Sequence, residues 1–226
     1  MAEMFKNDGF EQVQIEHFLA GYSWRKLYVV WFLAGMTVVF FLLLRFVPEV
    51  LPYVAIGPGV NFWYLKLFSA NVTTPGIINF IWALMMLALF ARPLEHEWSS
   101  FHLFILFFLS GALGWLAAYP LLPERLLIFD NVGAVAGVMG AAFCAIGKRD
   151  CHLLLIGKMK IATLILAIMF IVVIVDLSCG IPAMGLVSSI GFITGILYYK
   201  LRQRMIYGGK VKFKHQQNNH NRLEID

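Results

Sequence analysis

The chain has 226 residues, 60% of them hydrophobic and 14% charged, whereas soluble domains run at about 45–50% apolar and about 25% charged. That composition excludes a water-facing globular protein, and the surplus apolar residues must meet lipid. The net charge of +5 sits at the ends of apolar runs, which argues for membrane orientation and against nucleic-acid binding.

In chain order, residues 1–24 read as an amphipathic N-terminal arm. Phe5, Phe10, Val13, Ile15, Phe18 and Leu19 are interspersed there with polar residues, while Glu3, Asp8, Glu11 and Glu16 make it unlike a cleavable signal peptide. Residues 25–201 then hold apolar runs, each to be judged against the roughly 20 residues that a helical crossing needs. Helices are expected over 26–47, 76–91, 101–119, 132–147, 159–177 and 181–200. The second and fourth are short, which predicts helices that begin or end within the membrane, surrounded by protein. Pro75-Gly76 and the pair Asp130-Asn131 stand ahead of them as a break and an N-cap pair. Residues 202–226 form a basic, then polar tail with Lys210, Lys212 and Lys214, expected to be a disordered extension that touches anionic lipid.

The loop charges are asymmetric. Arg25, Lys26, Arg92, Lys148, Arg149, Lys158 and Lys160 share one side with the tail, and Lys66 and Arg125 lie opposite. The positive-inside rule then places both termini in the cytoplasm, or in the matrix or stroma, of a bacterial inner membrane or an organelle.

Ionisable residues at membrane depth are scarce. His17, His96, His102, His152, His215 and His220 all fall in termini, loops or helix ends, and Asp176 lies near the end of the fifth segment. A proton relay or charge-coupled transporter needs more than that, so no cofactor and no small-molecule substrate are expected. Cys144, Cys151 and Cys179 form no C-x-x-C pair, so neither a disulfide framework nor a zinc knuckle is indicated. Glu95-His96-Glu97 and Asp150-Cys151-His152 mix ligand types at spacings that match no metal motif, and they read as solvated helix ends. Glycine supplies the strongest pattern. Gly133, Gly137 and Gly140 line one face of the fourth segment, Gly191-x-x-x-Gly195 marks the sixth, and Gly111 and Gly114 mark the third. Such small faces let membrane helices approach backbone to backbone.

Over about 60–200 the segments resemble the rhomboid intramembrane serine proteases. The resemblance rests on Trp63 in the first loop, on the turn ARPLE from Ala91 to Glu95, on LSGALG, on VGAVAGVMGAAF and on SSIGFITGIL. It implies an all-α membrane protein with a six-transmembrane-helix rhomboid-like bundle. Position by position, the resemblance also implies that the catalytic apparatus is gone. Val135 stands at the position of the nucleophilic serine and Ser188 at that of its histidine base. Ala136 replaces the glycine after the nucleophile, Asn79 and Ala83 replace the oxyanion-stabilising histidine and asparagine, and Tyr64 replaces the arginine beside the loop tryptophan. Valine offers neither an oxygen nor an exchangeable proton, so acyl transfer by this route is not expected.

The resemblance therefore points to a pseudoprotease that binds transmembrane helices of client or partner proteins. It would act as an adaptor in quality control, trafficking or assembly, with a client gate near Trp82 and Phe170 and an apolar interior around Val135, Ala83 and Ser188. The alternatives are a structural subunit of a respiratory, secretion or membrane-protease complex and, after it, an active intramembrane protease.

Overall fold

The computed structural model describes residues 27–56, 63–122, 129–153, 157–178 and 182–223. The N-terminal arm and Cys179 lie outside the described residues. Six principal helices carry the fold: α1 Tyr28–Phe46, α2 Ile77–Glu97, α3 Ser100–Ala118, α4 Val132–Ile146, α5 Ile161–Ser178 and α6 Pro182–Leu223. Five of these are long and apolar enough to cross a membrane, and α4 is shorter at 15 residues. The chain is a multi-pass helical membrane protein.

Two expectations need correction. The second helix is not short: it runs on through the ARPLE turn to Glu97. Pro93 lacks an N–H and its ring crowds the carbonyl four residues earlier, and a π-helical turn at Leu87–Ala91 widens the ladder just ahead of it. The tail is not an unstructured extension either, because α6 continues to Leu223. Lys, Arg and Gln are good helix formers, and no proline interrupts them. The helical architecture is that of an all-α membrane protein with, among the described residues, one short hairpin between α4 and α5. β1 Asp150–Leu153 pairs antiparallel with β2 Gly157–Lys160, bringing Asp150 opposite Lys160.

The centre of the bundle is α4, where every residue from Gly133 to Ala142 is buried. It lies between α3 and α6 with almost no side chain in the seam. A Cβ on Gly191 would strike the Gly133 carbonyl, one on Gly195 the Gly137 carbonyl, and one on Gly140 the Phe192 carbonyl. Gly137 also faces the Ser110 side chain of α3, and Gly114 of α3 faces Val187 of α6. Only glycine permits that approach, and close backbone packing is what holds membrane helices together where lipid removes the hydrophobic drive.

The outer elements are attached differently. A short helix, Trp63–Ala70, sends Phe68 onto Phe108 of α3 with ring centroids 3.8 Å apart. Asn71 then lies over Gly111 and donates from Nδ2 to the Phe108 carbonyl at 3.3 Å. Helices α1 and α5 bury little: Val30, Leu33 and Thr37 in one, Ile161, Ile165 and Met169 in the other.

Glu95, expected to be a solvated helix end, is instead only 4% exposed. Its carboxylate accepts the N–H groups of Val29 at 2.7 Å and Val30 at 2.9 Å, and the Ser100 hydroxyl at 2.7 Å. The first N–H groups of a helix have no partner within it, and here a carboxylate from α2 supplies one to α1 at the favourable end of its dipole. Near the same end of the bundle, Trp98 packs on Tyr198 and Tyr199 of α6, with the Arg202 guanidinium 4.8 Å over its ring. Arg149 pairs with Glu97 at 3.0 Å beside the hairpin, an exposed contact that contributes little.

Candidate functional site

At the opposite end, where α4 begins and α5 ends, the described residues enclose a cavity of about 270 Å³ between α2, α4 and α5. Its apolar walls include Ile78, Val135, Ile171 and Val175, and Trp82 adds an aromatic face. Four polar residues join them: Asn79, Asp130, Asn131 and Asp176.

Local structure explains how Asp130 comes to face this space. Trp115 of α3, fully buried, donates from Nε1 to the Asp130 carbonyl at 3.2 Å, pinning the chain just before α4. The side chain then turns to the cavity, where Asn79 of α2 donates to its Oδ2 at 3.0 Å and the amides of Asn131 and Val132 lend hydrogen bonds. Asn131 occupies the N-cap position of α4 but makes no side-chain capping bond, so of the expected N-cap pair it is Asp130 that meets the first amides. Burial pushes the Asp130 carboxyl up to about 7, the hydrogen bond from Asn79 pulls it back, and the charge of Asp176 adds to the rise. A carboxyl in that setting gains from any cation brought to it.

Two buried polar atoms here have no partner, Nδ2 of Asn131 and Oδ2 of Asp176. Asn131 itself is 2% exposed. Buried polar groups are rarely left unpaired, so these two atoms take their partners from outside the chain, water included.

The residues that the resemblance sets at catalytic positions do not assemble into one centre. Asn79 and Val135 both line the cavity. Ala83 is buried in the main apolar core. Ser188 is fully buried on α6 and returns its hydroxyl to the Gly185 carbonyl at 3.0 Å, while Ser189 does the same at 2.7 Å. Neither hydroxyl has an imidazole or amine among its recorded partners. Asn79, which the resemblance sets at the histidine position of the oxyanion pair, donates to Asp130. Of the two gate residues, Trp82 lines the cavity, and Phe170 is 68% exposed on the outer face of α5. The seven glycines lie in the helix seams. Among the described residues no group of three His, Cys, Asp or Glu side chains could hold a metal ion.

The interior expected to be apolar is so at Val135 and Ala83, but the cavity beside them is acidic. Asp176 carried a weak signal, as an acid two residues inside the end of an apolar helix. Asp130 carried less, since an Asp-Asn pair before a helix already has a capping explanation. No protein-family model matches the chain, and no curated protein matches it.

Proposed function

We propose that this chain is a non-catalytic membrane adaptor with a rhomboid-like six-helix arrangement, both termini on the cytoplasmic, matrix or stromal side. It binds transmembrane helices of client or partner proteins. The observation that carries the reading is the cavity between α2 and α5. Two of the positions that the resemblance assigns to catalysis, Asn79 and Val135, line it, and among the described residues no serine, threonine or cysteine does. Beside it α5 leaves Phe170, Ile171, Ile174 and Val175 exposed, an apolar face on which a second helix can lie. The basic stretch of α6, with Lys210, Lys212 and Lys214, suits contact with anionic lipid.

Photo-reactive residues placed at Trp82 and at Phe170 in native membranes are expected to capture the membrane segment of another protein. Capture at neither position argues against helix binding. An enzyme assay addresses the rival reading. A serine-reactive fluorophosphonate is expected to leave the folded protein unlabelled, because Ser188 is buried, Ser189 is half-buried and both are bonded to their own helix. Labelling that disappears in Ser188→Ala would restore proteolysis as the function.

A further inference from the structure

Asp130 and Asp176 reach the cavity from different elements, one from the chain before α4 and one from the last turn of α5, and among the described residues no basic one lines it. Asp130 has an amide for a partner and Asp176 has an unpartnered oxygen. The amide of Asn131, 2% exposed and unpaired at Nδ2, is a donor and needs an acceptor, so it is not filled by a cation itself. Two acids in an apolar enclosure call for a positive charge.

The rest of the cavity narrows the choice of cation. A bare metal ion wants several ligands, and among the described residues no group of three His, Cys, Asp or Glu side chains could hold one. The walls are mostly aliphatic, with Trp82 among them. That suits an alkyl stem ending in an ammonium or guanidinium, whose methylene groups lie on apolar surface while the head pairs with carboxylates or an indole face. The cavity adjoins the exposed apolar face of α5. A helix lying on that face can deliver such a side chain sideways, without leaving the membrane.

We infer that the acidic cavity between α2, α4 and α5 selects partner transmembrane helices that carry a lysine or arginine about one turn from the end nearest the start of α4. The inference rests on the helix-binding reading above and specifies which helices are bound. Asp130 and Asp176 receive the basic head, Trp82 lies along it, and Asn79 with Trp115 hold Asp130 in place.

The test uses the full-length protein in phosphatidylcholine vesicles, with a photo-reactive residue at Phe170, which lies outside the cavity lining. Three synthetic leucine-alanine helices of about 20 residues, enough to span the membrane, are added separately, carrying lysine, leucine or glutamate at the chosen depth. The lysine helix is expected to be captured at least about tenfold more than the leucine helix, the ratio that a single charge-assisted hydrogen bond supports. The glutamate helix is expected to fall below both. The double variant Asp130→Asn with Asp176→Asn should lose the lysine preference and still capture the leucine helix, which shows that it is folded. Equal capture of lysine and leucine helices overturns this inference and leaves helix binding standing. Capture of none overturns helix binding as well.

Discussion

Glu95→Ala is expected to lower the thermal midpoint of the detergent-solubilised protein by about 6–12 °C, as followed by helical circular dichroism. The basis is the number of buried partners that one carboxylate serves. The amides of Val29 and Val30 and the hydroxyl of Ser100 all lose it together. Hydrogen bonds to charged groups are worth about 1.5–3 kcal/mol, and a buried donor left unpaired costs about 1–3 kcal/mol. A net loss of about 3 kcal/mol is therefore reasonable, and for a chain of this size each kcal/mol moves the midpoint by about 2–4 °C. Glu95→Gln keeps the shape but turns an N–H toward a donor that needs an acceptor, so it should recover only part of the loss. A midpoint shift under about 2 °C in Glu95→Ala would mean that α1 is held by its lipid-facing packing and not by this cap.

Gly195→Val should have a larger effect still. A side chain there meets the Gly137 carbonyl and the Ala141 amide of α4, both main-chain atoms that cannot swing aside. Inserting bulk into a packed core costs about 1–3 kcal/mol where side chains can give. Where two backbones face each other, the helices must part along the whole seam, and the cost should exceed about 3 kcal/mol. The expected readout is loss of the monodisperse peak in size-exclusion chromatography. Gly35→Ala is the matched control. It lies in α1 with nothing within 4 Å of the added methyl, so the better helix propensity of alanine, about 1 kcal/mol, should leave stability unchanged or slightly raised. Equal effects from the two substitutions would refute the seam.

How much of this could be read from residue order follows from what each feature depends on. The starts of α1, α3, α4 and α5 lie within about two residues of expectation, because a long apolar run is a local property and its ends carry polar markers. The glycine stripes on α3, α4 and α6 were visible too, since helical spacing is enough to place them on a face. Which glycine meets which carbonyl was not visible, as that depends on how far α6 slides along α4. Glu95 was misread for a physical reason: a charged residue at the end of an apolar segment looks like a solvated loop until a neighbouring helix start is laid against it. The extension of α2 was missed because Pro93 normally ends a helix, and only the wider turn before it lets the chain continue. The site suffered most. Asp130 and Asp176 are far apart in the chain, and each had a sufficient local explanation, as a cap or as a helix end. Their meeting is a product of tertiary packing, whereas the absence of a nucleophile at Val135 needed no structure.

The glycine seam also sets an order of manufacture. Helix α4 finds its partner surface on α6, which is synthesised about 60 residues later, and at about 5–20 residues per second the wait is about 3–12 s. Through that interval the newly inserted chain holds a short helix whose glycine face toward α6 is uncovered, with α2 and α3 on its other sides. The bundle is thus closed from its centre by the last helix to arrive. A ribosome that stops after α5 would leave its most fully buried element exposed, and such a product is what membrane proteolysis would find first.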